Sequence, residues 1–379
     1  MLKVKLLMKR YLIILICISL LLLTACTGNT GSTGDTTDNT GDIDSTSNTG
    51  DTRDTTESIS STGNTANTTD NTGKTVNSAE EDLITFADAL DRMVSVKKNP
   101  ERVASLLGSF ADVWVLAGGS LCAAPDDAWE DFGLELNNAV NIGGAHSPSL
   151  ELLLSAEPDF VIASASTASN VEMKESLEAA NITVAYFDVD NFYDYLGMLD
   201  TCTDITGQKE LYEENGLQIQ TQIEEIKNRY TEKNIPDQER TVLLLRTASS
   251  FVKAKGSRGT ILGEMLADMG CINIADNDSN ILENLSVEAV IREEPYHIFV
   301  VTMGSDTDAA KASLENMIQE NPAWNSLSAI KKDRMYIMDK TLFNLKPNAR
   351  WAEAYQKLYE TLTNEAPGDE TLPNETLTN

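Results

Sequence analysis

Between Val103 and Met338, short apolar runs alternate with stretches of helical periodicity, and that alternation is broken only once. The runs are Val103–Leu107, Phe160–Ala163, Val184–Phe187, Thr241–Leu245, His297–Val301 and Met335–Met338. Consecutive rather than alternating apolar residues mark strands buried on both faces. Helical patterns lie between them, as at Ser149–Ala156, Asn170–Ala180 and Ser286–Arg292. Strand, helix and strand repeated with short links gives parallel sheets covered on both sides. The break runs from Gln208 to about Lys233, with no strand signal, no proline and a single glycine, Gly216. There Ile219, Ile223, Ile226 and Tyr230 fall on one helical face. A helix of about 25 residues spans roughly 37 Å at its usual rise. The expected fold is therefore α/β. Two doubly wound parallel-sheet lobes, residues 83–207 and 235–363, are joined by one long backbone helix over 208–234.

The chain ahead of this region reads as an address and a tether. Lys3, Lys5, Lys9 and Arg10 precede an apolar run from Tyr11 to Leu23. That run is too short to cross about 30 Å of hydrocarbon comfortably and matches the core of a signal peptide. It ends in Leu23-Thr24-Ala25-Cys26, which resembles the bacterial lipobox. Residues 1–26 are thus expected to be a lipoprotein signal peptide, with Cys26 the lipidated first residue of the mature protein. Residues 27–82 are almost wholly Thr, Asn, Gly, Asp and Ser, with Asn-Thr-Gly recurring at 29–31, 39–41, 48–50 and 71–73. So little apolar surface cannot offset ordering entropy, so a disordered tether is expected, of r.m.s. reach roughly 40 Å. The polar residues 364–379 read as a flexible tail. With Cys17 and Cys26 removed, Cys122, Cys202 and Cys271 remain, an odd and widely spaced set that supports no disulfide framework.

Charge narrows the function. From residue 81 onward the chain carries 50 acids against 23 bases, a net of −27. Nucleic acid needs a cationic footprint and is excluded as a partner. Two histidines, His146 and His297, are too few for direct capture of zinc or manganese. There is no Gly-x-Ser-x-Gly elbow, no His-Glu-x-x-His and no phosphate loop, so no enzyme is expected. Gly256-Ser-Arg-Gly259 lacks the Gly-Lys-Ser/Thr ending and reads as a turn before a helix at 260.

Several segments resemble one family in order and spacing. Asp88-Ala-Leu-Asp-Arg-Met-Val94 and Pro100-Glu-Arg-Val103 are similar to the opening hairpin and first strand of iron-siderophore/cobalamin-type substrate-binding proteins of ABC transporters. Asp91 stands where glycine is usual. Asn141-Ile-Gly-Gly144, Ser147-Pro-Ser-Leu-Glu151 and Glu157-Pro-Asp-Phe-Val-Ile162 resemble the next block. Gly263-Glu-Met-Leu-Ala-Asp-Met-Gly270, Leu285-Ser-Val-Glu288, Glu294-Pro295 and Asn321-Pro-Ala-Trp324 resemble the second half. The resemblance covers about residues 83–362. It implies ligand capture between two lobes with limited relative movement, and delivery to a membrane permease.

The same resemblance gives Glu151 and Glu288 the role of docking onto permease arginines, one per lobe. From the residues themselves, Ser149 and Ser286 read as helix caps, each placing its glutamate in a first turn where the helix dipole favours an anion. Ligands of parallel sheets meet the loops beyond strand C-termini. Those loops nominate Phe110, Trp129, His146, Arg246, Met303, Phe343, Lys346 and Arg350 as ligand contacts. Trp129 and Phe343 offer flat apolar surface. Arg246, Lys346 and Arg350 offer partners for chelate oxygens.

The expectation is a monomeric, lipid-anchored receptor on the extracytoplasmic face of the cell membrane, without cofactor and without a metal held directly by protein. Its cargo is a metal chelate, a ferric siderophore first, with cobalamin or haem as alternatives. A non-transport adhesin lipoprotein is a further alternative. The overall negative charge disfavours polyanionic chelates unless the cleft is locally basic.

Overall fold

The computed structural model describes residues 83–304 and 306–364. The expected signal peptide with Cys26, the tether, and the tail after Asn364 lie outside them. Strands β1 (Leu83–Ala87) and β2 (Met93–Lys97) form an antiparallel hairpin. At its turn Asp91 takes a left-handed φ of 55°. The Asp88 carboxylate accepts from the backbone N–H groups of Leu90 and Arg92, at 3.0 and 3.1 Å. A tight turn that glycine would make freely is here built by an aspartate that organises the loop.

The first sheet holds β3 (Val103–Ser105), β4 (Ala123–Ala124), β5 (Val140–Asn141), β6 (Phe160–Ser164) and β7 (Thr183–Phe187). All its pairings are parallel, in the order β5-β4-β3-β6-β7. The second sheet holds β8 (Thr241–Ala248), β9 (Phe251–Lys255), β10 (Ile272–Asn273), β11 (His297–Thr302) and β12 (Met335–Met338). Four of these run parallel as β10-β8-β11-β12. The expected all-parallel sheet needs one correction, because β9 folds back antiparallel on β8.

Strand periodicity divides the buried side chains among three cores. Ala104, Val161, Ala163, Val184 and Tyr186 fill one behind the first sheet. Leu243, Leu245, Ile298 and Val300 fill another behind the second. The alternate residues all meet in a central core, with Val103, Phe160, Ile162 and Phe187 from the first sheet and Val242, Leu244, Phe299 and Val301 from the second. Phe192 of the first lobe and Trp351 of the second stack edge to face there, with centroids 5.9 Å apart.

The connection between the lobes is helical from Lys209 to Glu232. Its apolar face is the one the spacing indicates, with Ile219, Ile223, Ile226 and Tyr230 all buried in the central core. Burying four such side chains contributes on the order of 2 kcal/mol each. One turn, Glu213–Leu217, widens to π geometry around Gly216. A Cβ at Gly216 would sit 2.9 Å from Leu196 Cδ2 and 3.3 Å from Leu199 Cδ2, so close packing requires the glycine. The last helix, Trp351–Thr363, packs along the connector. Lys227 pairs with Asp268 at 2.6 Å, and Tyr355 donates to the same carboxylate at 2.8 Å.

Candidate functional site

Ligands of parallel sheets meet the loops beyond strand C-termini, and here loops of the two lobes touch through Lys340–Asp131 and Asn348–Ser109. In the first lobe, helix Gly108–Leu116 follows β3 directly. Its N-cap, Leu107, has no side chain to satisfy the first N–H groups. Asp127 supplies the missing acceptor, with both carboxylate oxygens 3.1 Å from Gly108 N. The approach is so close that a Cβ on Gly108 would lie 2.6 Å from Ala128 N. Burial pushes the Asp127 carboxyl up to about 6; the Gly108 amide opposes this, while Asp126 and Asp131 add to it.

From the second lobe, the segment Lys340–Arg350 reaches into the same region. Lys340 Nζ pairs with Asp131 Oδ1 at 2.8 Å. Asn348 Nδ2 donates to Ser109 O and to Asp112 Oδ2, both at 2.8 Å. Burial raises the Asp112 carboxyl above the usual range, and the Asn348 hydrogen bond pulls it back. The Lys346 ammonium lies 5.7 Å from the Phe110 ring centroid. Burial lowers its pKa, while Asp190 and Asp188 act the other way.

The nominated contact residues are not brought together as a set. Phe110 is fully buried, packed edge to face on Phe187 at 6.4 Å. Phe343 is likewise buried in the central core. Both are corrected from ligand contacts to core residues, because each lies on the inward face of its helix and presents no ring to solvent. His146 is exposed in the turn Gly144–Ser147, closed by a 2.8 Å hydrogen bond. Arg350 is engaged by its own neighbour Glu353, at 2.7 and 3.0 Å, which holds the Glu353 carboxyl down at about 2. Trp129, half-buried against the central core, lies two residues from Asp131. Met303 is 38% exposed just past β11. Arg246, half-buried near the end of β8, forms no ion pair among the described residues. Asp131 and Lys340 lie outside the loops that sequence reasoning singles out, since each finds its partner 209 residues away.

His297 sits in β11 among Tyr296, Phe299 and Tyr336. Burial, helped by Arg334, pushes its imidazole down to about 4, so it is neutral at physiological pH. Among the described residues no group of three or more His, Cys, Asp or Glu is placed to hold a metal ion.

The two helix caps form as the sequence indicates. Ser149 Oγ accepts from Leu152 N and Ser286 Oγ from Ala289 N, each at 3.3 Å. Glu151 and Glu288 occupy the first turns and are exposed. Ser286 also donates to Glu288 Oε2 at 3.1 Å. Among the described residues no helix is long and apolar enough to cross a membrane.

Comparison with known proteins gives consistent relatives. The family model described as periplasmic binding protein matches residues 103–342. An uncharacterised ABC transporter substrate-binding lipoprotein of Bacillus subtilis is 22% identical over 282 residues, 74% of this chain and 85% of that protein. The crystal structure of Staphylococcus aureus SirA complexed with staphyloferrin B is similar at a TM-score of 0.59 and 18% identity, covering 74% of this chain and 98% of that one. The vitamin B12-binding protein BtuF of Vibrio cholerae gives 0.57 at 16% identity, covering 70% and 98%.

Proposed function

Because the chain belongs to the periplasmic binding protein family, the substrate-binding partners of ABC transporters and not enzymes, we propose that it captures a ferric siderophore between its lobes and delivers it to a permease. The observation that carries this reading is the joining of two parallel-sheet lobes by one long helix, with loops of the two meeting at Lys340–Asp131. By the rule for parallel sheets, the ligand is expected at the loops beyond the strand C-termini. A bulky, already chelated metal needs no protein donor atoms. Glu151 and Glu288 are proposed as the permease contacts, one per lobe. Exposed acids of this kind are worth little in the free protein and steer a transient encounter. Cys26 is proposed as the lipid-anchored residue holding a monomer at the outer face of the membrane.

The test is fluorescence quenching of the full-length protein by a ferric hydroxamate, a ferric catecholate, haem and cobalamin, all of which absorb strongly. Saturable quenching by an iron chelate at micromolar concentration or below is the expected result. Saturation by haem or cobalamin alone moves the assignment within the family. Linear quenching by all four removes the chelate-receptor reading.

A further inference from the structure

The hairpin of β8 and β9 gathers cations that the sequence keeps apart. Arg246 pairs in register with Lys253, and Leu244 with Lys255. Directly opposed residues of an antiparallel pair share a face, and so do residues two apart on one strand. Arg246, Lys253 and Lys255 therefore stand on one face. It is the face that Val242 and Leu244 turn to the central core between the lobes. Arg246 lies two residues from the C-terminal end of β8, past Leu244, the last residue that β8 itself gives to that core. Arg246 and Lys253 both lower the pKa of Lys255, after burial, which is what close approach of like charges does.

None of the three forms an ion pair among the described residues, although the chain carries 59 acids. Arg246 Nε is buried and has no hydrogen-bond partner. Lys346, by contrast, is answered by Asp188 and Asp190. Like charges at opposed strand positions destabilise a sheet, and an unpartnered buried donor costs more still. Lysines on an edge strand such as β9 guard it against pairing with other chains. That accounts for Lys253 and Lys255 but not for Arg246, whose strand has neighbours on both sides.

We propose that Arg246, Lys253 and Lys255 form an anion-binding wall of the cleft, and that the cargo is an anionic ferric chelate with negatively charged oxygens exposed to this wall. The proposal rests on the chelate-receptor reading and narrows it. The chain's net negative charge disfavours such cargo except where cations gather, as Arg246, Lys253 and Lys255 do on this face. Carboxylate and catecholate oxygens share the required chemistry, and the fork of Arg246 suits either.

The test titrates the full-length protein and two variants, Arg246→Gln and the double variant Lys253→Gln/Lys255→Gln. The probes are ferric citrate, a ferric tris-catecholate, ferrioxamine B and cyanocobalamin. One of the two anionic complexes is expected to bind about tenfold or more tightly than ferrioxamine B or cyanocobalamin. Arg246→Gln is expected to weaken that complex by about tenfold, and the lysine variant by several fold. The ligand-free variants melt no lower than the parent, because repulsion is relieved. Which anion saturates separates carboxylate from catecholate. Ferrioxamine B or cyanocobalamin binding as tightly as either anion overturns the proposal and leaves the receptor reading standing. So does anion affinity that neither variant changes. If no probe saturates, both readings fall together.

Discussion

Lys340 and Asp131 join the two lobes directly, Nζ to Oδ1 at 2.8 Å, across 209 residues of sequence. Both side chains keep about a quarter of their surface in solvent, so the pair adds little to stability, at most about 1 kcal/mol. Its effect belongs to the kinetics of the cleft. Lys340→Gln is expected to leave the melting temperature nearly unchanged and to speed ligand release several fold. Stopped-flow recovery of quenched fluorescence measures this, and unchanged release would assign the pair no part in closure.

Asp127 makes stability depend on pH in the direction opposite to most carboxylates. Its folded pKa, about 6, is raised by burial above the ordinary 3.8. The folded state therefore binds the proton more tightly, and this group's contribution improves as pH falls through 6 towards 4 and is lost as pH rises. Asp127→Asn, which keeps an oxygen to cap Gly108, is expected to remove that slope and to be at least as stable at pH 7. Asp127→Ala loses the cap and about 1 kcal/mol. Thermal melts between pH 4 and 7 decide the matter.

Gly216→Ala separates packing from helix propensity. In an exposed helix the change gains up to about 1 kcal/mol. Here the added Cβ meets Leu196 at 2.9 Å, and overpacking costs about 1–3 kcal/mol. Urea denaturation is expected to show net loss. A gain would mean that the π turn relaxes without cost.

Reversing the charge at Glu151 or Glu288 is expected to leave chelate affinity intact and abolish uptake by cells, since both acids are exposed and lie on helix first turns. Each Glu→Lys change also opposes its helix dipole, at about 0.3–1 kcal/mol. Uptake of radiolabelled iron beside equilibrium binding distinguishes the two effects. Loss of binding and uptake together would contradict a docking role.

The elements that could be read from the sequence are those whose pattern is local and repeated. Phe160–Ser164 is buried at every position and announces itself as a strand. The face of Ile219, Ile223, Ile226 and Tyr230 does the same for the connector. Strands β4, β5 and β10 are two residues long and carry no period. β9 reads Phe-Val-Lys-Ala-Lys, whose lysines hide it among surface loops. The cleft is less legible, because it is assembled from distant partners. Asn348 with Asp112 and Lys340 with Asp131 are brought together by topology. Phe110 and Phe343 show the opposite failure. Loop position nominated them, but their helices turn the rings inward.

The central core has a consequence for how the protein comes into being. Its walls come from both sheets, the connector and the closing helix Trp351–Thr363. Each lobe has a core of its own but neither can close the central one by itself, so cutting the chain at the connector should yield two pieces that each expose an apolar face. Synthesis runs from the N-terminus, and the closing helix is therefore delivered last. Until those 13 residues arrive, everything upstream waits with an oily seam open. A nonsense codon near position 350 would be as ruinous as one near position 200.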